Sequence, residues 1–399
     1  MIPPKSIAVV GTGTVGVLSL AHMLTYLPDN FTVYSVYDPK IPIFGIGEST
    51  AVRHIESFWE SSDFNMLEHS DELDATVKLG TRFVGWREND IWSPVQPPSY
   101  GMHLNNFKIK EVFFERFQKK WGKRFQILET EVVDLVNGHE CVEIMTKDGV
   151  QSFDYVVDCR GWPESYDDYT VLDTLPLNHC LVQMVPTPGD WNYTYHKATK
   201  NGWMFGIPLK TRQGWGYLYN DTITTKEEAL KDMAEVLKSQ MNWDPEKINP
   251  KEFVFKNFYA NKFLNGRIMV NGNRAAFLEP LEGFSGGFYT QINRLMLDFI
   301  FGIKDEDGVN KYLIDSAQRI ENVVCFFYHG GSTFDTEFWR KTKQKTSEHL
   351  KNSKLWKETV EEINRYDRIE KLRAMVTPFS VQLWQNRAKD FGYDYFKGE

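Results

Sequence analysis

Two hydrophobic periods alternate along the chain. SIAVV (6–10) is a short unbroken apolar run, the pattern of a strand buried on both faces, and a glycine-rich turn follows it. From about Thr14 to Leu27 the apolar positions recur at helical spacing, and FTVYSVYD (31–38) predicts a second strand. The stretch from about Glu48 to Asn65 reads as helix and then loop, and residues 107–121 again have helical periodicity. FQILE (125–129), VEIMT (142–146) and YVVDC (155–159) predict strands. Between about 160 and 260 short strands alternate with loops, as in CLVQMV (180–185), WMFGIPL (203–209) and WGYLYN (215–220), with one helix at about 225–241. RIMVNG (267–272) predicts another buried strand, and after Gly287 the pattern is helical almost to the end. This order predicts an α/β nucleotide-binding fold with a β-rich insert and a C-terminal helical part.

Composition narrows the function classes. The 399 residues suffice for two or three domains, or one large fold with insertions, and need no disulfide or metal staple. A formal net charge of −8 argues against nucleic acid, because phosphate contacts need a basic face, and against anionic lipid. No apolar run approaches the ~20 residues that span a bilayer, and three glycines in the first apolar segment argue against a signal peptide. The four cysteines are far apart and the nine histidines show no ligand spacing, so no disulfide framework or metal site is expected, and a reducing cytoplasm fits. Aromatic residues reach 15%, which implies a bulky core and, as the sharper alternative, a pocket for a flat ligand. Trp92, Tyr100, His103 and Phe334 are candidates for such a pocket, although core or loop packing is the commoner fate of such residues.

Candidate chemistry begins at Gly11-Thr-Gly13-Thr14-Val-Gly16, between the first predicted strand and helix. Gly11 allows the tight turn, Gly13 lets the backbone approach a pyrophosphate, and Gly16 lets helix and strand pack closely. The helix start offers free N–H groups to phosphate, and Asp38, ending the second strand, can accept a bond from a ribose hydroxyl. The motif alone does not separate NAD from FAD. Tyr155–Gly161 and Arg267–Ala276 resemble the second and third fingerprints of FAD monooxygenases, with Asn273 where that class has an Asp.

At this level the sequence resembles the flavin-dependent halogenases of the tryptophan-halogenase type. Pro39–Thr50 contains Gly45-Ile-Gly47-Glu48-Ser49-Thr50 and is similar to the family's G-x-G-E-x-T run. Asp74–Phe83 resembles the segment with the family's catalytic lysine, here Lys78. Glu279-Pro-Leu-Glu282 followed by Ser285-Gly286-Gly287 resembles the flavin and halide loop, with two extra residues between Glu282 and Ser285. Phe327–His329 and Asp335–Arg340 resemble the C-terminal helical signature. The family's W-x-W-x-I-P stands here as Trp203-Met-Phe205-Gly-Ile-Pro208, with Phe for the second Trp. The chain is also shorter than typical members, as a compact, phage-encoded one would be.

The resemblance implies a Rossmann-like FAD-binding fold of the monooxygenase/halogenase type. It divides the chain into an FAD-binding domain at 1–300, to which about 80–125 and 165–260 add a substrate side, and a helical substrate-covering part at 301–399. It implies FAD held by Gly11, Gly13, Thr14, Gly16, Asp38, Ser49, Thr50 and Asn273, and halide held at Ser285, Gly286 and Gly287. FADH2 from a separate flavin reductase, O2 and a halide (chloride, bromide or iodide) then give hypohalous acid. Lys78 delivers it to an electron-rich aromatic small molecule, by a hydrogen bond or as a haloamine. Glu282 balances charge or polarises the substrate intermediate, and Trp203, Phe205 and Pro208 form the substrate wall. Oligomeric state stays open, a homo-oligomer included. The nearest alternative is an FAD-dependent aromatic monooxygenase, a hydroxylase. A non-catalytic flavin-binding sensor would have no use for the lysine. A serine hydrolase built on Gly283-Phe-Ser285-Gly-Gly287 lacks the hydrophobic strand that a nucleophile elbow needs before it.

Overall fold

A computed structural model of the chain describes residues 3–95 and 100–365 and two short strands, Met375–Val376 and Phe379–Ser380. The side chains of residues 52 and 282, and those from 362 onward, lie outside that description. Two compact units result. The first takes the chain up to Thr76, Gly101–Val171 and Phe258–Asp315; the second takes Val77–Tyr100, Leu172–Asn257 and the described chain from Ser316 on.

The first unit is built on five parallel strands: β1 (Lys5–Val10), β2 (Phe31–Tyr37), β3 (Phe125–Glu129), β4 (Tyr155–Asp158) and β5 (Ile268–Val270), in spatial order β5-β4-β1-β2-β3. The two-residue strand Leu264–Asn265 closes the β5 edge antiparallel. Ile7, Ala8 and Val9 are fully buried, which is why β1 reads as an unbroken apolar run. Helix α1 (Thr14–Tyr26) is apolar almost all round and is correspondingly buried from Gly16 to Leu24. Helix α2 (Val52–Ser62) follows the Gly45–Thr50 loop. Helix α3 (Ile109–Trp121) is one-sided and buries Ile109, Phe113, Phe114 and Phe117. The Phe113 ring stacks on Phe58 of α2 at 4.1 Å. Helix α4 (Phe284–Ile300) completes the unit. An antiparallel meander, Val132–Asn137, Val142–Thr146 and Gly149–Phe153, lays Val142, Ile144 and Phe153 on Ala8, Val10, Val36 and Val156. Its outer two strands are not predicted by the pattern.

The second unit is a seven-stranded sheet. Its order is Lys251–Val254, His179–Val185, Gln213–Tyr219, Trp203–Pro208, Thr194–Ala198, Gly80–Val84 and Ile91–Pro94. Every pairing is antiparallel except Thr194–Ala198 with Gly80–Val84. One face buries Met204, Trp215, Tyr217 and Tyr219 against Ala229, Met233, Val236 and Leu237 of the helix Lys226–Met241. That helix starts at a complete capping box between Thr225 and Glu228. The helical C-terminal pattern is found as Glu306–His329, Glu337–Asn352 and Lys354–Arg365; beyond Arg365 the described residues are the antiparallel pair Met375–Val376 and Phe379–Ser380, strand where the pattern predicts helix, and the rest of that run lies outside the described residues. Among the described residues no helix is long and apolar enough to cross a membrane.

Candidate active site

The strand ends of the first unit converge in step. The Gly11 N–H donates to the Val36 carbonyl, the Cys159 N–H to Val10 and the Asn271 N–H to Asp158, each at 2.8–2.9 Å. The ends of β2, β1, β4 and β5 therefore open at one level, where open α/β sheets take their ligands. Gly11 has φ +101°, and a Cβ there would lie 2.6 Å from the Cys159 carbonyl oxygen. A Cβ on Gly16 would lie 2.1 Å from the Gly11 carbonyl oxygen. These two glycines are fixed by close approach. Gly13 is different: a Cβ would meet nothing within 4 Å, so the backbone faces open space as α1 begins. The α1 N-cap makes no side-chain bond and its first turn holds no acid. Uncapped amides beside an open backbone fit the pyrophosphate of a dinucleotide.

The Gly45–Thr50 loop is anchored beside this turn. Thr14 Oγ1 donates to Asn106 Oδ1 at 2.9 Å, while the Asn106 N–H donates to the buried Glu48 carboxylate and its Nδ2 to the Ile46 carbonyl, both at 3.3 Å. The Thr50 hydroxyl is buried and exchanges bonds of 3.0 and 3.1 Å with the Met102 backbone; Ser49 bridges to His103. Thr50 thus anchors the loop through its side chain. Gly45 and Gly47 both have positive φ; Phe107 fills the space at Gly45, whereas Gly47 faces open space. Asp38 stands at the end of β2 and accepts the Lys40 N–H at 2.9 Å through Oδ1, and a carboxylate has further acceptor capacity. On the other side Gly272, at φ +64°, packs on Val15 of α1, and Asn273 Oδ1 lies 3.2 Å from the Tyr289 hydroxyl of α4. The Glu48–Thr50 loop and the Gly272 turn therefore adjoin the start of α1, and α4 meets that turn at Asn273.

Ser285, Gly286 and Gly287 lie in the first turn of α4, whose N-cap is Gly283 at φ +69°. Again the N-cap makes no side-chain bond and no acid stands in the first turn. A Cβ on Gly287 would meet nothing within 4 Å. Ser285 Oγ donates to the Leu278 carbonyl at 3.3 Å, and the residues before it form a 3-10 turn, Leu281–Gly283, rather than a strand. The backbone of Glu282 lies in that turn; its side chain is outside the described residues. Glu279, three residues earlier, is 1% exposed.

Beneath this helix start runs a polar network that the periodicity does not reveal. His54 Nε2 lies 3.0 Å from the Gly286 carbonyl oxygen and 3.1 Å from Thr290 Oγ1. His22 Nε2 meets Ser57 Oγ at 2.8 Å and its Nδ1 meets Asn293 at 3.0 Å; Asn293 Oδ1 accepts from Asn271 Nδ2 at 2.9 Å. Burial lowers the His54 pKa to about 4; burial, then the neighbouring His54, lowers that of His22 to about 3. Both imidazoles are neutral at physiological pH. Burial also pushes the Cys159 thiol up to about 12, and none of the four cysteines forms a disulfide.

In the second unit Lys78 ends the short strand Thr76–Lys78 and is half-buried. Its successor is pinned on both sides: the Leu79 N–H donates to the Asn192 carbonyl at 2.7 Å and the Leu79 carbonyl accepts from Val95 at 2.8 Å. Gly80 opens the next strand under the Trp92 ring. Trp203, Phe205 and Pro208 are all buried. Trp203 Nε1 donates to the Tyr328 hydroxyl at 2.7 Å, and its ring neighbours Trp86 and His196. Phe205 lies flat over Gly216, where a Cβ would come within 2.2 Å of the ring. Of the candidate pocket residues, His103 is fully buried and Trp92 is 45% exposed.

The sequence profile described as tryptophan halogenase matches residues 6–126 and 87–388. Tryptophan 7-halogenase RebH of Lentzea aerocolonigenes is 23% identical over 85% of this chain and 78% of its own. Tryptophan 7-halogenase KtzQ of Kutzneria sp. is 27% identical over 85% and 79%. Among solved structures, BrvH, a flavin-dependent halogenase from Brevundimonas sp. BAL3, superposes with a TM-score of 0.79 at 17% identity, over 98% of this chain and 90% of its own.

Proposed function

The chain belongs to the tryptophan halogenase family, and from that premise we propose that Lys78 hands an oxidised halogen to an electron-rich aromatic small molecule. The protein is an FADH2-dependent halogenase. Bound reduced FAD supplies, with O2, a halide and one proton, the oxidation that yields hypohalous acid, water and FAD.

The chain's own residues bind, orient and charge-balance. Gly11, Gly13, Thr14 and Gly16 with the α1 amides hold the pyrophosphate, Asp38 a ribose hydroxyl and Asn273 the ribityl chain. Ser49 and Thr50 fix the loop beside them. The amides of Ser285, Gly286 and Gly287 hold the halide, since a helix start stabilises an anion without a proton donor. The Lys78 ammonium donates a hydrogen bond to the oxygen of hypohalous acid. As the ring takes the halogen, Lys78 passes this proton to the oxygen, which leaves as water, and the proton that the ring then loses restores the ammonium. Glu282 balances the charge of the cationic ring intermediate, and Trp203, Phe205 and Pro208 stiffen the substrate wall. Reduced FAD reaches the protein from a separate reductase in the cytoplasm.

The observation that supports Lys78 most is its half-buried place on a backbone pinned at Leu79; a solvated surface lysine needs no such frame. The test is product mass spectrometry with FAD, a reductase, NADH and bromide, starting with tryptophan, the substrate named for the relatives above. Bromide-dependent brominated product is expected. Oxygenated product regardless of bromide would favour a hydroxylase.

A further inference from the structure

Helix α4 starts under unfavourable conditions. Gly286 and Gly287 each cost ~1 kcal/mol relative to alanine in a helix interior, and the N-cap contributes no side-chain bond. A start this weak frays unless tertiary contacts hold it. Ser285 holds it from one side through Leu278. From α2, His54 holds the other side at the Gly286 carbonyl and Thr290 Oγ1.

We propose that His54 is a positioning residue for the halide site: its Nε2–H clamps the Gly286 carbonyl and keeps the amides of Ser285, Gly286 and Gly287 aimed at the incoming anion. The proposal rests on the reading of those amides as the halide site. A carbonyl only accepts, so the proton must be on Nε2. Thr290 Oγ1 donates to the same carbonyl at 3.2 Å, which leaves its lone pairs for His54. Gly286 makes the approach feasible, because a Cβ there would stand 3.1 Å from His54 Cε1. His54 lies four residues after Thr50, so one side chain joins the cofactor loop to the halide helix.

The experiment measures bromide affinity in two ways on the FAD-loaded protein: the bromide-induced change in the absorption of bound oxidised FAD, and the KM for bromide against kcat. His54→Leu removes the donor, His54→Gln keeps an N–H at similar reach, and Gly286→Ala pushes the ring away without touching it chemically. Gly287→Ala fills open space in the site itself, and His22→Leu damages the same buried network without touching Gly286. The expected result is bromide affinity about tenfold weaker in His54→Leu and Gly286→Ala, restored in His54→Gln, and unchanged in His22→Leu, with the loss in KM rather than kcat. Should His54→Leu fail to fold, Gly286→Ala against His54→Gln carries the comparison. If Gly287→Ala weakens bromide while His54→Leu and Gly286→Ala do not, the clamp is wrong and the halide site stands. If His22→Leu weakens bromide as much as His54→Leu, His54 is merely structural. If Gly287→Ala changes nothing, the halide site is elsewhere and the clamp falls with it.

Discussion

Acid should unfold this protein partly through one imidazole. His54 is 5% exposed and burial lowers its pKa from 6.5 to about 4. The folded value lies below the unfolded one, so the unfolded chain takes up the proton first as pH falls. The neutral imidazole's contribution is therefore complete above about 6.5 and is lost on the way down to about 4. The whole interval is worth about 3 kcal/mol, and about 2.5 kcal/mol of it is gone by pH 4.5. His22, lowered to about 3, adds to the loss, but part of its shift comes from His54, so the two do not sum. Carboxylates titrate over the same range, and a bare melting curve would mix them in. The assay is therefore urea denaturation of wild type and His54→Gln at pH 7.5 and 4.5, read as the difference between the proteins. Gln cannot titrate, so its deficit at pH 7.5 should shrink by about 2.5 kcal/mol at pH 4.5. Parallel losses in both proteins would refute a buried neutral histidine at this position.

Other outcomes follow from particular contacts. Gly16→Ala should purify without FAD, since its Cβ would stand 2.1 Å from the Gly11 carbonyl oxygen; Gly13→Ala should fold normally but bind FAD more weakly, and the ratio of flavin to protein absorbance checks both. Trp203→Phe removes the donor to Tyr328 and leaves a buried hydroxyl and a small cavity, so it should cost about 2–4 kcal/mol in denaturant unfolding. Bromide and iodide are oxidised more easily than chloride, so with equimolar halides the brominated product should at least equal the chlorinated one; a clear excess of chlorinated product contradicts this.

The chain announced its nucleotide-binding half through local constraints. Gly11, Gly13 and Gly16 are dictated by a turn, a close backbone approach and a helix packed on a strand, all within six residues. β1 and β4 are buried on both faces and read as apolar runs. Val132–Asn137 is not legible as a strand because Val133 and Val136 face outward beside Asp134, so no clean alternation survives. Thr194–Ala198 (TYHKA) is interior to its sheet yet half polar: the His196 ring packs against Phe83 and Trp203, and Lys197 is only half-buried. Trp203 was legible as part of an aromatic motif, but its bond to Tyr328, 125 residues away, was not. His54 and Gly286 lie 232 residues apart, and nothing near either predicts the other. Asn106, which ties Thr14 to the Glu48 loop, is silent for the same reason.

The most direct measurement is halogenation by Lys78→Ala, with FAD content determined on the same sample. The account predicts FAD at the wild-type ratio and brominated product reduced by ~10²–10⁴. Bromination by the variant at near wild-type rate would contradict it.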